Sequence, residues 1–509
     1  MSNRHFIWIV CVCLVLCVSL THAQAADNSK SRLIILADMG NEPDEEQQMA
    51  HMLMCSNEFE LEGLIAVTGK YLRNTTRPDL FLKLIDGYEQ VLDNLKQHAQ
   101  GWPVPDYLRS ITKSGQTAYG IADVKEGNAS PGSVLIIEAV TKPDPRPIWV
   151  VMNAGSNTLA QALVDYRTQH TAAEVGAFVA KLRVFENGAQ DNAGAWICSE
   201  FPTIHWIRSN YQTYAYGGPG GMDGDVSEVL GPYFWQPYEY SVAGQNEWLK
   251  EHVMNNHGAL GAIYPERRFN FMHGKSSLGF MEGGGTIPWM GLVNKGLFDI
   301  DHPSWGGWGG RFSAEKVACF WSRHGDIRVD EAKVAPFYVH REVSDTWYNP
   351  TDDKTFSGDY VPVWRWRQAM YSDFKCRMDW CVQPYNKANH HPVAALSVDK
   401  SDTIVRLSVS PGDRIVLDSS ASSDPDGDAL EIRWWQYLEA GTYPGVVHIP
   451  SPRESKINIT VPTGAAGKQI HIILEVRDKN AIGSLYDYRR IVIDVTKTYN
   501  HNKLFKQNR

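Results

Sequence analysis

Short apolar runs that end abruptly in polar or acidic residues recur through the N-terminal part of the chain. The clearest is residues 33–37 (Leu-Ile-Ile-Leu-Ala), followed at once by Asp38. A short, wholly apolar run bounded by polar residues reads as a buried strand. Pro43 suits the first position of the next helix. Asp44, Glu45 and Glu46 suit its first turn, where the helix dipole favours negative charge. Met49, Met52 and Leu53 then fall on one face. Further strands are expected at 61–68, 148–152, 182–185 and 203–207, and helical periodicity runs over 79–97. Asn153 opens another strand, small turn and capped helix. Strands alternating with helices predict a mostly parallel sheet with flanking helices. Such sheets bind ligands at the carboxyl ends of their strands, and Asp38, Asn153 and Asn187 all stand there.

The pattern loosens afterwards. Residues 107–120 are polar and read as a loop, either over a pocket or as an ordinary surface excursion. Residues 211–304 are rich in Gly, Tyr and Trp with weak periodicity, and loops this long are often functional. Eight Trp lie between Trp289 and Trp380, which suits either a sugar platform or a core that seals the sheet. From about residue 389 the period changes to short alternating strands at 404–409, 414–417, 430–435, 456–461, 470–476 and 488–495. That spacing predicts an immunoglobulin-like β-sandwich. Asp424-Pro-Asp426-Gly-Asp428 between two of these strands suits calcium or, more commonly, a plain turn. The expected organisation is a signal peptide at 1–25, an α/β domain at 26–388, a sandwich at 389–498 and a polar tail at 499–509.

Composition narrows the partners. A net charge of −9 gives no basic field for nucleic acid. Arg4 and His5 precede an apolar run that ends at Leu20, and Ala23-Gln24-Ala25 offers a small-x-small cleavage site. This reads as a secretory signal, so a secreted or periplasmic protein without a membrane span is expected. Of the eight cysteines, Cys55, Cys198, Cys319, Cys376 and Cys381 lie beyond that leader. Their pairing stays open, as does the oligomeric state.

Asp38, Glu42, Asp44, Glu45 and Glu46 put five carboxylates within nine residues. They repel one another unless neutralised, and a hard cation with oxygen ligands is the simplest neutraliser. A solvated acidic helix start accounts for Glu45 and Glu46 but poorly for Asp38 at the end of a buried strand. A cation there lowers the pKa of a bound water, and a neighbouring carboxylate takes its proton. Asn153, Asn187, Gln190, Asp191 and Asn192 are good partners for sugar hydroxyls. A Gly-rich nest for phosphate is missing from the right place.

Asp38-Met-Gly-Asn-Glu-Pro-Asp44-Glu45 resembles a variant of the Asp-x-Asp-x-Gly-x-Asp-Asp signature of nucleoside hydrolases. Asn153-Ala-Gly-Ser-Asn157-Thr-Leu-Ala160 resembles their Gly-Pro-Leu-Thr-Asn-Leu-Ala turn. The chain as a whole resembles the secreted nucleoside-hydrolase-like family labelled cellulose-binding protein, which carries a C-terminal β-sandwich. The matching phrases are Asn41-Glu-Pro-Asp44, Ser56-Asn-Glu-Phe59, Gly63-Leu-Ile-Ala66, Trp305-Gly-Gly-Trp308-Gly-Gly-Arg311, Trp364-Arg-Trp366-Arg367 and Arg377-Met-Asp-Trp380. The resemblance implies calcium at the opening acids and hydrolysis of an N- or O-glycosyl bond. It implies Asp38 as metal ligand and general base, and Asp44 as ligand or sugar partner with a catalytic part. Glu45 and the Met152 carbonyl become further ligands. Asn153, Asn187, Asp191, Asn192 and Glu282 become the substrate-binding candidates, the last standing where the family brings another Asp. His257 and His273 are candidate leaving-group acids, or simply loop histidines. The substrate expected is a carbohydrate or nucleoside-like molecule. The alternative is a glucan-binding protein that keeps the fold without the chemistry.

Overall fold

The computed structural model describes residues 30–41, 43–209, 212–216, 248–271, 276–280, 284–317, 337–349 and 353–497. Its frame is an eight-stranded sheet. The strands are β1 (Ser31–Ala37), β2 (Phe59–Ala66), β3 (Thr112–Ser114), β4 (Ile148–Met152), β5 (Leu182–Asn187), β6 (His205–Ser209), β9 (Phe312–Val317) and β10 (Phe337–Glu342). Their spatial order is β3-β2-β1-β4-β5-β6-β10-β9, parallel except for the β9–β10 pair. The inner strands are largely buried because both faces are covered, and β4 (Ile-Trp-Val-Val-Met) is apolar and buried at every residue. On one face lie α1 (Pro43–Met54) and α2 (Pro78–His98). On the other lie α4 (Pro131–Thr141), α5 (Ser156–Gln169), α6 (Ala172–Lys181) and α7 (Ala193–Glu200).

The order of the strands positions the site. From β1 the chain steps outward to β2 and β3, then returns to lay β4 on the other side of β1. The direction of winding therefore reverses between β1 and β4, and a crevice opens at their carboxyl ends. Leu36 faces Met152 across this pair, and the Asn153 amide donates to the Leu36 carbonyl at 2.9 Å.

Residues 107–120, expected as a loop, contain the end of helix α3 (Pro105–Ser110) and the edge strand β3. The strand escapes a hydrophobic reading because its three residues are only half-buried, and an edge strand needs no apolar face of its own. At the opposite, amino-terminal end of the inner strands, Arg32 on β1 forms a buried ion pair with Glu62 on β2, away from the crevice.

Hairpins β7–β8 (Arg267–Phe271, Ser276–Phe280) and β11–β12 (Asp345–Asn349, Lys354–Gly358) precede the long helix Arg367–Asp379. The sandwich then packs β13 (Val405–Val409), β18 (Tyr486–Val495), β17 (Gln469–Asp478) and β15 (Leu430–Gln436) in one sheet. The pair β14 (Arg414–Asp418) and β16 (Lys456–Thr460) forms the other. These strands follow the alternation in the sequence closely. The Asp424–Asp428 segment is a turn in which the Asp424 carboxylate accepts from the amides of Asp426 and Asp428 at 2.8 and 3.1 Å.

The sandwich shares its packing with the α/β domain. Tyr437, Ile473, Leu485, Tyr486 and Tyr488 belong to the same apolar cluster as Trp289, Trp308 and Trp366. Tyr437 donates to Asp345 at 2.6 Å, and Arg490 donates to the carbonyls of Leu297 and Gly306 at 2.9 and 2.8 Å. The segment joining the two parts is tied down as well. The carbonyl of Asn389 accepts from the Trp380 indole, its amide donates to Asp478, and His390 bonds Asp426 and His98.

Six of the eight tryptophans between 289 and 380 (Trp289, Trp305, Trp308, Trp364, Trp366 and Trp380) are buried, so they seal the core. The exposed aromatic side chains among the described residues are tyrosines, chiefly Tyr71, Tyr338 and Tyr348. Cys55, Cys198, Cys376 and Cys381 are buried free thiols. Cys376 lies within a helix and Cys381 just beyond its end, which keeps them unpaired.

Candidate functional site

At the mouth of the β1–β4 crevice three side chains converge: Asp38 after β1, Glu45 in the first turn of α1, and Asn153 after β4. All are buried, at 1%, 3% and 0% exposure. Asn153 Nδ2 donates to Glu45 Oε2 at 3.0 Å, and Gln48 Nε2 donates to the same oxygen at 3.3 Å. Asn41 Nδ2 donates to Asp38 Oδ2 at 3.2 Å. The half-buried Asp44 completes the acidic group. Burial, then the negative charges of Asp44 and Asp38, push the Glu45 carboxyl well above the usual carboxylate range. The two amide donors oppose that rise.

The crevice is kept open by glycines that leave no room for a side chain. A Cβ on Gly69, in the loop after β2, would lie 2.0 Å from Asp38 Oδ2 and 2.9 Å from Gln190 Oε1. A Cβ on Gly285 would lie 2.4 Å from Asn153 Nδ2. Gly155 takes φ +61 at the turn into α5, and its Cβ would strike Val67 at 2.3 Å. The loop after β2 is pinned from above: the Lys70 amide donates to Gln190 Oε1 at 3.2 Å, and Tyr119 donates to the Gln190 carbonyl at 2.6 Å.

The donor types at this point are those a hard cation takes, although Asp38, Asp44 and Glu45 are not drawn together closely enough in this structure to form a ready-made cage. Asp38, Asp44 and Glu45 supply carboxylate oxygens, and Met152 ends β4 beside them. The Asn153 Oδ1 is buried with no hydrogen-bond partner, while its Nδ2 is spent on Glu45. A buried acceptor left without a donor is costly, and a cation or a ligand hydroxyl would satisfy it.

The remaining candidates divide. Asn187 ends β5 within the same edge; its Oδ1 accepts from Thr213 at 3.0 Å, and no hydrogen bond among the described residues engages its Nδ2. Asp191 is buried but turned toward two helix starts: it accepts from Ser156 Oγ, from the Asn157 amide at 3.2 Å and from the Ala193 amide at 2.9 Å. The turn responsible runs through Gly188 (φ 73) and Ala189 (φ 46). Asn192 points outward, its Oδ1 accepting from the Ile121 amide at 2.9 Å. Glu282 and His273 lie outside the described residues. His257 is held by the Asn255 carbonyl at 2.7 Å and by Asp379 at 3.2 Å.

Gln48, Gly69 and Gly285 were not legible as site residues. A glutamine inside a helix and single glycines in loops carry no pattern of their own. Only the spacing Glu45–Gln48, one turn apart on the same helix, hints at a contact.

The comparisons with known proteins agree with this fold. Residues 32–312 match the family described as cellulose-binding Sde182, nucleoside hydrolase-like domain. Residues 414–495 match that described as cellulose-binding protein Sde0182, C-terminal domain. A solved structure from Saccharophagus degradans, described as a nucleoside hydrolase-related hypothetical protein associated with carbohydrate metabolism, is 36% identical. It aligns over 92% of this chain and 100% of its own, with a TM-score of 0.76. A chimeric titin Z1Z2 aligns over 21% of this chain with a TM-score of 0.14, too low to bear on the fold. Comparison with curated proteins gave no match. The chain belongs to the family of cellulose-binding proteins with a nucleoside hydrolase-like domain.

Proposed function

We propose that this protein is an exported, calcium-dependent hydrolase of N- or O-glycosyl bonds acting on sugars or polysaccharide-derived substrates. The observation that carries the reading is the gathering of buried and half-buried carboxylates at the strand ends, which repel one another there. Glu45 is buried beside Asp38 and Asp44, and the side chains that donate to it are neutral amides. Calcium would be held by Asp38, Asp44, Glu45 and the Met152 carbonyl, and would supply the counter-charge and a site that orients and polarises the attacking water.

The protein's own groups then divide the work. Asp38, on the floor of the crevice and oriented by Asn41, takes the proton of the attacking water. The acceptor Oδ1 of Asn153 and the donor Nδ2 of Asn187 are complementary to sugar hydroxyls. The negative charge of the carboxylates favours positive charge developing on the sugar ring in an oxocarbenium-like transition state. The family description, cellulose-binding, supports the sugar as ligand.

The test is a panel of glycosides and nucleosides assayed with calcium and with chelator. Calcium-dependent release that disappears in Asp38→Asn is expected; no metal-dependent release on any substrate overturns the reading. Gly69→Ala tests the crevice itself. Its methyl group would displace Asp38, so calcium affinity measured by calorimetry should weaken by about tenfold or more with the fold retained.

The same family description favours a second reading, a carbohydrate-binding protein without turnover. It predicts retention on insoluble glucan that Asp38→Asn leaves unchanged. Because the described tryptophans are not exposed, Tyr71, Tyr338 and Tyr348 are the rings to replace in that experiment.

A further inference from the structure

We propose that Trp289 and Gln48 are positioning residues for the acidic centre: the indole fixes the Gln48 amide, which in turn holds Glu45 with one carboxylate oxygen turned to the crevice. The inference rests on reading that centre as a cation site. Trp289, Gln48 and Glu45 are buried at 0%, 0% and 3% exposure. The indole Nε1 donates to Gln48 Oε1 at 2.9 Å, and Gln48 Nε2 donates to Glu45 Oε2 at 3.3 Å.

The direction of this relay cannot reverse. An indole N–H only donates, so it must face the amide oxygen of Gln48. The amide nitrogen is thereby aimed at Glu45. Without the indole hydrogen, the Gln48 amide is free to turn over and present its oxygen to the carboxylate, which repels it. Asn153 donates to the same Oε2, so both donors hold one oxygen, and none among the described residues reaches Oε1. One oxygen is pinned to the protein and the other is left for a ligand.

Trp289 is itself held rigidly. His51 packs edge-on against its ring at 5.2 Å and Phe59 at 6.1 Å. The preceding carbonyl, of Pro288, accepts from the Trp149 indole on β4 at 2.7 Å. Gly285, in the same segment, lies against Asn153. The late part of the domain thus reaches the centre through a glycine and an indole.

Calcium binding to the full chain, measured by calorimetry, tests this without any activity readout. Partners of metal ligands typically contribute about 10- to 100-fold in affinity, so Trp289→Phe and Gln48→Met should each weaken binding by about that much. The two effects should not add, because the indole acts only through the glutamine; a merely structural role for Trp289 predicts additive losses. Gln48→Met leaves the indole's packing in place and carries the test alone if Trp289→Phe does not fold. Unchanged affinity in Gln48→Met, or additive losses in the double variant, overturns the relay while leaving the cation site standing. A wild-type chain that takes up no calcium overturns the cation reading, and the relay with it.

Discussion

Between pH 6.5 and 4.5 the wild-type protein should lose about 5 kcal/mol more stability than a His51→Phe, His471→Gln double variant. Both histidines are buried, at 1% and 0% exposure. Burial holds His51 down to about 3. Burial, then Arg490 and other cations, hold His471 down to about 2. His471 is locked as the neutral ring: Arg490 donates to Nδ1 at 2.9 Å, so Nδ1 carries no proton, and Nε2 donates to Gln469 at 2.8 Å. In the unfolded chain both rings titrate near 6.5. Below that pH the unfolded state binds more protons than the folded one, so stability falls as pH falls and is fully present above about 6.5. Each ring contributes about 2.3 kcal/mol over this window, the slope rising from half of about 1.4 kcal/mol per pH unit at 6.5 to nearly its full value at 4.5. Buried carboxyls with raised values, such as Glu186 and Asp191, act in the opposite direction but are common to both proteins. Urea unfolding at a series of pH values reads the difference; equal slopes in the two proteins would rule it out.

Arg377→Met should destabilise the fold by about 3–5 kcal/mol, the usual cost of leaving a buried charge without its partner. Arg377 donates to Asp373 at 2.8 Å, to the Met54 carbonyl and Asn57 at 3.0 Å each, and to Glu58 at 2.9 Å. The two carboxylate side chains differ: Asp373 is 1% exposed and Glu58 25%. Arg377 and His391 hold the Asp373 carboxyl well below the usual range despite its burial. Removing the guanidinium leaves that buried charge with His391 as its remaining ionic partner, so a second change, Asp373→Asn, should recover part of the loss. Denaturant midpoints of the three variants check this; a double variant no more stable than Arg377→Met would show that lost packing, not lost charge, dominates.

The arginine also ties together phrases that are far apart in the sequence. Ser56-Asn-Glu-Phe59 and Arg377-Met-Asp-Trp380 are far apart in the chain, yet Arg377 bonds Asn57 and Glu58 directly. The tryptophan phrases behave likewise. Arg311 pairs with Asp345, Arg365 lies over the Tyr437 ring at 4.3 Å, and Trp366 packs on Trp435 and Tyr488. These phrases build joints rather than chemistry, which the sequence alone left undecided. The inner strands were legible as short apolar runs that stop at polar residues, and the sandwich as short, partly alternating strands between turn signals. The edge strand β3 was not, since pairing rather than pattern makes it a strand. Asp38 and Asn153 were legible from their places at strand ends. Asp191 shared that position in sequence, but a turn with two positive φ angles points it at helix starts, a choice no residue pattern announces.

The buried joint between the two parts has a consequence for how the chain is degraded. In proteins built as modules on a string, the connecting segment is exposed and is the first place a protease cuts. Here Ala388, Asn389 and His390 are buried at 6%, 2% and 4% exposure, and their polar groups are spent on both neighbours. A protease cannot engage that segment until the surrounding structure opens. Nicking there then follows the small population of opened chains rather than the length of contact with enzyme. Nor is the sandwich a part that can be shed with the rest intact, because its departure would bare the apolar faces of Trp308 and Trp366 to water.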